Sequence, residues 1–139
     1  EAVILDADYS WSHARFTEVD PAGDYIPGAV ETVVSVGLSV QRDTGWFGGA
    51  RWRYFGPAPL IEDNSVRSHS TSTVNAQAGY RFSPRLSVMA SVFYLLYADA
   101  NDISYFFESQ LPNQSPPAAD IHFHPAEPRT LRVAATVRF

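Results

Sequence analysis

The chain has 139 residues, enough for one domain of ordinary size and too few for two. Hydrophobic residues make up 45% of it and charged residues 18%, and 15 acidic against 10 basic residues give a formal net charge of −5. This acidic balance excludes a polybasic nucleic-acid binder, and the absence of cysteine excludes disulfide scaffolds, thiolate metal sites and cysteine nucleophiles.

Strict alternation of apolar and polar residues dominates the chain and predicts β-strands. In the first run Val3, Leu5 and Tyr9 fall on one face, while Asp6 and Asp8 fall on the other. Five further runs repeat this period of two, and helical spacing fits none of them as well. The predicted strands are residues 2–16, 30–41, 46–55, 73–82, 86–98 and 130–139. We therefore predict an all-β, antiparallel fold.

The links between these runs are alternately long and short. Two of them are short, residues 42–45 and 83–85. The other links are long and cover residues 17–29, 56–72 and 99–128. Outer-membrane barrels sort their connections in this way, with short periplasmic turns and long extracellular loops. Ten residues at a tilt near 40° also cover about 25 Å, which is the height of the apolar band of such barrels.

Aromatic residues on the apolar face gather near the strand ends, as they do at the two interfaces of a membrane barrel. They are Trp46, Tyr80, Phe82 and Phe139 beside the short turns, and Tyr9, Trp11, Trp52 and Tyr54 toward the long loops. The opposite face is small and polar, with isolated arginines, unlike a soluble exterior rich in Lys and Glu. We therefore expect the apolar face to contact lipid. A water-soluble barrel with the apolar rows inside has the same period and is the alternative.

The number of strands adds a condition on the fold. Closed barrels begin at about eight strands, and an open six-stranded sheet would leave two unpaired edges in hydrocarbon. The sequence therefore predicts an antiparallel transmembrane β-barrel segment of about six strands, which is part of a larger barrel or is closed by other chains. We expect either that a leader was removed before Glu1 or that the chain comes from a longer protein.

Several stretches resemble the C-terminal barrel portion of TonB-dependent outer-membrane receptors. They are residues 26–29 (IPGA), 45–57 (GWFGGARWRYFGP), 75–86 (NAQAGYRFSPRL), 128–132 (PRTLR) and the ending Arg138-Phe139. The terminal Phe139 has apolar residues at every second position before it, and this pattern is similar to the barrel-assembly signal of that family. The preceding positions are Val137, Ala135, Val133 and Leu131.

The resemblance implies a barrel of about 22 strands around a plug domain, which takes up a scarce nutrient of the siderophore, cobalamin or saccharide class. It implies location in the outer membrane of a Gram-negative bacterium. The expected partners are membrane lipid and the remaining barrel strands or other copies of the chain. A TonB-type energising partner would act only through the plug, which we expect this single barrel segment to lack. We expect no cofactor and no nucleic-acid partner.

Charged residues on the polar face are candidates for lining the lumen. They are Asp6, Asp8, Glu31, Arg51, Arg53, Arg81, Arg132 and Arg138. Such a lining could guide an anionic solute or contact a plug. It could also form a ladder of cross-strand pairs that stabilises the wall, each pair contributing about 0.2–1 kcal/mol. We favour the ladder.

The long links supply the candidate substrate contacts, because binding residues are often found on loops. The candidates are Asn64, His69, Tyr105 and Phe106. The aromatic run at residues 104–107 fits a continuation of the fifth strand equally well. His122 and His124 are weak candidates for a metal site: two imidazoles share a face of an extended segment, but no spacing fixes a third ligand, and we expect a loop without metal.

No arrangement of Ser, His and Asp, of paired carboxylates or of a phosphate-binding loop indicates an enzyme. The leading hypothesis is therefore the barrel wall of a receptor-like transporter of the TonB-dependent type. The alternatives are a small soluble lipocalin-like barrel that binds an apolar ligand and a structural barrel fragment that assembles with other chains.

Overall fold

The computed structural model describes residues 1–96, 101–113 and 115–139. Its strands are β1 (Ala2–Trp11), β2 (Thr32–Gln41), β3 (Gly45–Phe55), β4 (Thr71–Ser83), β5 (Leu86–Phe93), β6 (Asn101–Ser109), β7 (Ala118–Pro125) and β8 (Thr130–Val137). A short 3-10 helix, Pro21–Gly23, lies between β1 and β2. In the described ranges no helix has the length and apolar character needed to cross a membrane. The prediction of an all-β, antiparallel chain is confirmed.

Six strands form one antiparallel sheet in the order β1-β2-β3-β4-β5-β8. β6 and β7 form a separate antiparallel ribbon, inserted in the chain between β5 and β8. The ribbon follows the end of the β5–β8 pair at which Phe93 lies opposite Thr130. Over the described residues the sheet is open, with β1 and β8 as its edges, and it is not closed into a barrel.

The register brings the apolar rows of all six sheet strands to one face. Residues that are direct partners across a ladder point to the same side of the sheet. One row across the sheet consists of Leu5, Leu38, Ala50, Ala76, Val92 and Leu131. We call this side the apolar face and the opposite side the polar face.

The apolar face is the more exposed of the two, as β5 illustrates. Leu86, Val88 and Ala90 on the apolar face are exposed, whereas Ser91 on the polar face is only 6% exposed. The most exposed large side chains of the apolar face are Val3, Leu5, Tyr9, Trp11, Trp46, Phe82, Leu131 and Val133. In a soluble sandwich a second layer covers the apolar side of each sheet, and the polar side is exposed. Here the apolar face is the more exposed side, and we call this arrangement reversed burial.

Buried apolar side chains lie instead in the second long loop, between β3 and β4. They are Ala58, Pro59 and Leu60. The first long loop, between β1 and β2, is hydrogen-bonded to this segment. The N–H of Gly28 donates to the carbonyl of Pro59 at 2.8 Å, and the N–H of Tyr25 donates to the carbonyl of Glu62 at 3.0 Å. The two loops therefore form one packed unit at the end of the sheet opposite the short turns.

Two sheet strands are about five residues shorter than the sequence predicts, and the bounds of the other four differ by one or two residues. β1 ends at Trp11 rather than at residue 16, because Arg15 bridges to Tyr25 within the first loop and does not continue the ladder with β2. β5 ends at Phe93, where Tyr94 takes a left-handed φ of 55° that interrupts the extended run. Residues 97–98 of that predicted strand lie outside the described residues. The predicted long link at 99–128 contains the β6–β7 ribbon.

Candidate functional site

The centre of the polar face carries an ion pair that spans three strands. Asp6 on β1 and Arg51 on β3 are both register partners of Gly37 on β2. Their side chains meet above this glycine, with Asp6 Oδ1 2.7 Å from Arg51 Nη2. A Cβ at position 37 would lie 2.5 Å from Asp6 Oδ2, so a larger residue there would displace the side chains of this contact. Arg51 also donates to Ser35 Oγ at 2.9 Å. This part of the face has the geometry of a stabilising ladder.

Two further arginines of the polar face lie over aromatic rings. Phe47 lies over its register partner Gly79, where an added Cβ would come within 2.5 Å of the ring. The guanidinium of Arg81 is 5.0 Å from the Phe47 ring centroid. The guanidinium of Arg132 is 5.2 Å from the centroid of Phe93. These distances are within the range of cation–π contacts, which hold both charges against the polar face of the sheet.

Glu31 lies just before β2, where it joins the two long loops. Its carboxylate is 2.8 Å from Arg67 Nη2 in the second loop and 3.9 Å from Arg15 Nη1 in the first. Arg15 also pairs with Asp24 at 3.5 Å, and its guanidinium is 3.4 Å from the Tyr25 ring centroid. We call these residues the loop cluster. Because opposite charges and a stacked ring meet here, the cluster holds the first loop to the second.

The second loop contains a tight turn next to this cluster. Asp63 Oδ1 accepts from the N–H of Ser65 at 2.9 Å. Hydrogen bonds from the backbone N–H of Ser65, and next from its hydroxyl, hold the pKa of Asp63 below its ordinary value of 3.8. Asn64 has a left-handed φ of 60°, and its Oδ1 accepts from Arg67 Nη1 at 2.5 Å. Asn64, a predicted substrate contact, therefore uses its side-chain oxygen for a hydrogen bond within the loop.

A cavity of about 420 Å³ lies where the polar face meets the loops and the ribbon. We call it the loop-end cavity. The polar side chains at its wall include Arg53, Ser68, His69 and Thr73, and the rings of Phe55 and Tyr94 also line it. His69, a predicted substrate contact, is therefore close to Arg53, a predicted lumen residue. The volume lies within the range of about 300–1,000 Å³ that is typical of small-molecule sites.

Among the described residues, Arg51 has acceptors for its guanidinium and Arg53 has none. Its row across the sheet runs from Asp8 through Ser35 to Arg53, which repeats the order of the row with Asp6 and Arg51. The intervening residue is here a serine, whose hydroxyl accepts from Arg51. Within the part of the chain that the structure describes, the guanidinium of Arg53 makes no hydrogen bond or ion pair.

The ribbon separates the other candidates. Tyr105 lies opposite His122 in the ladder and Phe106 lies opposite Ile121, so the two predicted contacts face opposite sides. The ring of His122 stacks on Phe107 with centroids 3.8 Å apart.

The two histidine rings of the ribbon each contact an aromatic residue. His124 meets Tyr105 edge to face with centroids 6.2 Å apart, and His122 stacks on Phe107. The Nε2 atom of His122 is buried and has no hydrogen-bond partner among the described atoms. No group of three His, Cys, Asp or Glu side chains that could hold a metal occurs in the described ranges.

The predicted assembly signal lies at the edge of the sheet. Leu131, Val133, Ala135 and Val137 pair along β8 with the apolar-face residues of β5. Phe139 follows the strand and is exposed. The N–H of Arg138 donates to the carbonyl of Arg85 at 2.8 Å, which fixes the chain end beside a short turn.

Sequence reasoning missed the loop cluster. Asp24 and Arg67 belong to no periodic run, and Arg15 falls within the predicted strand 2–16, so no spacing marks the three as partners of Glu31. The useful signal would have been the charged residues in loops that otherwise contain mostly small and apolar residues.

Comparison of the chain with protein-family models, with curated proteins and with solved structures finds no match.

Proposed function

We propose that this chain forms part of the wall of an outer-membrane barrel, in a receptor-like transporter of the TonB-dependent type that takes up a scarce nutrient. The observation that carries the proposal is the reversed burial of the sheet. Leu5 is 72% exposed and Val133 66% exposed, while the polar face holds the paired charges. Removing a side chain of this size from water contributes about 1.5–3 kcal/mol, and hydrocarbon on the apolar face supplies that environment.

Two aromatic bands support the same proposal. Near the short turns, Trp46 and Tyr80 are in contact with ring centroids 5.2 Å apart. Toward the long loops, Trp52 and Tyr54 are stacked with centroids 6.2 Å apart. The strand between Trp46 and Tyr54 is about 27 Å long at about 3.4 Å per residue. At a tilt near 40° this length spans about 21 Å along the membrane normal, so the amphipathic rings lie close to the two interfaces of an apolar band about 25 Å thick.

The open edges favour completion of the barrel by further strands. In the described sheet, β1 and β8 each have one edge whose backbone N–H and C=O groups are not paired with another strand. Unpaired N–H and C=O groups in hydrocarbon cost several kcal/mol each, so both edges need partners there. The partners are other strands of a longer chain or other copies of this one. The same open edges argue against the alternative of a small closed barrel around an apolar ligand.

Cysteine labelling in intact cells tests the topology. The segment contains no cysteine, so Ser65→Cys in the second loop and Thr44→Cys in a short turn each add one thiol to it. Both residues are exposed. In the full-length protein, freed of any other cysteine and produced in a Gram-negative host, a membrane-impermeant maleimide should label only the loop position from outside. The turn position should react after the outer membrane is permeabilised. Recovery of the protein in the soluble fraction, or equal labelling of both positions in intact cells, would refute the proposal.

A further inference from the structure

We propose that the loop-end cavity is a binding site for a small sugar acid, meaning a pyranose or similar polyol that carries one carboxylate. The inference deepens the proposed function and rests on it in one respect, because the cavity opens on the polar face that the barrel would enclose. Its residues come from both long loops, from β3 and β4, from the segment after β5 and from the ribbon.

The charge of the cavity points to a singly charged anion. Arg53 is a guanidinium without an acceptor in the described structure, although an equivalent row gives Arg51 an aspartate partner at 2.7 Å. A guanidinium presents two parallel N–H donors that match a carboxylate, and such a pair is stronger than a neutral hydrogen bond. One arginine balances one carboxylate.

The remaining side chains at the cavity wall fit a hydroxylated ring. The side chains of His69 and Thr73 are of types that form hydrogen bonds with the hydroxyl groups of a sugar. The hydroxyl of Ser68 accepts from the N–H of Ala58, which holds this side chain at the cavity wall. Phe55 and Tyr94 add aromatic surface for the apolar side of a sugar ring. The cavity volume of about 420 Å³ accommodates a monosaccharide and exceeds what an inorganic anion needs.

The loop cluster keeps the wall of this cavity in place. Arg67 holds Glu31 at 2.8 Å and donates to the carbonyl of Pro57 at 3.0 Å. The neighbouring Ala58 and Leu60 are both buried and both line the cavity. A site with a fixed wall binds without first having to order its loops, which lowers the entropic cost of association.

Calorimetric titration of the full-length protein in detergent micelles tests the proposal. The probes are D-glucuronate, D-glucose as the uncharged analogue and D-glucose 6-phosphate as the more highly charged one. We expect saturable binding of D-glucuronate at one site per chain, at least about tenfold tighter than D-glucose, since a charge-assisted hydrogen bond is worth more than one factor of ten. No binding of D-glucuronate, equal binding of D-glucose, or preference for the phosphate would overturn the proposal.

Paired variants locate the site. Arg53→Gln should weaken D-glucuronate binding by at least about tenfold, and Arg53→Lys should restore part of the affinity because it keeps the charge but not the double donor. Arg51→Gln, two positions along the same strand and face, should change the affinity less than about twofold, because Arg51 is outside the cavity. Equal effects of Arg53→Gln and Arg51→Gln would overturn the proposal.

Folding and topology are measured independently of binding. Far-UV circular dichroism of each variant identifies a loss of β-structure. If Arg53→Gln loses β-structure, D-glucuronate binding is compared between Arg53→Lys and the unsubstituted protein instead. The labelling experiment fails if the chain does not span the outer membrane, whereas the titration fails if the cavity does not bind the sugar acid. The two failures are therefore distinguishable.

Discussion

Leu38→Arg tests whether the apolar face contacts hydrocarbon. Leu38 lies in the middle of β2 between Leu5 and Ala50, and it is 49% exposed. Full removal of a leucine side chain from water contributes about 1.5–3 kcal/mol, so covering the exposed half with lipid is worth about 1 kcal/mol. An arginine near the bilayer midplane costs a further 2–4 kcal/mol or so. We therefore expect the free energy of unfolding in lipid vesicles to fall by about 3–5 kcal/mol.

The matched control is Ser39→Arg, which places the same side chain one residue further along β2, on the polar face. We expect it to change the free energy of unfolding by less than about 1 kcal/mol, because the polar face is not covered by lipid. Urea unfolding of the full-length protein in phosphatidylcholine vesicles, followed by tryptophan fluorescence, measures both. If Leu38→Arg costs no more than about 0.5 kcal/mol, as surface substitutions in water usually do, the apolar face does not contact hydrocarbon and the reasoning is refuted.

Three other measurements test the polar face and the loops. Glu31→Gln weakens the acceptor in the loop cluster, so hydrogen exchange in both long loops should speed up by about tenfold while the sheet strands keep their protection; unchanged loop exchange contradicts the assignment. A double-mutant cycle of Asp6→Asn and Arg51→Gln should give a coupling of about 0.2–1 kcal/mol in thermal unfolding, and a coupling of zero would mean that the ion pair contributes nothing. The lowered pKa of Asp63 stabilises the turn above the unfolded-state value of 3.8, and this contribution is lost as the pH falls through the lower folded-state value. NMR titration of Asp63 should therefore give a midpoint below 3.8, and Asp63→Asn should abolish the acid-induced rise in amide exchange at Ser65; a midpoint at or above 3.8 would remove the basis for this expectation.

The main sheet was accessible to prediction because its pattern is local and repeated. In β2, for example, Val34, Val36 and Leu38 alternate with small polar residues, and a one-residue shift in register would move every apolar side chain to the other face. The same reasoning fixed which residues share a face. Whether that face is covered is not encoded in the period, since a soluble barrel and a membrane barrel alternate identically.

The ribbon and the loops were less accessible for a different reason. The aromatic run that includes Tyr105, Phe106 and Phe107 is apolar on both faces, so it lacks the period that marked the other strands. Contacts such as Arg67 with Glu31 join positions that only the fold brings together. The availability of Arg53 was also hidden, because the row with Asp8 and Arg53 has the same order of charges as the row in which Asp6 and Arg51 form an ion pair.

The β6–β7 ribbon has a consequence for how the last strand joins the sheet. β8 pairs with β5, and residues 94–129 connect the two strands. This is the longest connection between any two paired strands of the sheet. Once the ribbon has paired, only residues 94–100 and 126–129 remain to be closed. Since each doubling of loop length adds about 0.6 kcal/mol of closure entropy, early formation of the ribbon lowers the cost of adding β8 by about 1 kcal/mol. Isolated hairpins form within about 1–10 μs, so the C-terminal strand can zip onto its neighbour from a hairpin that is already folded.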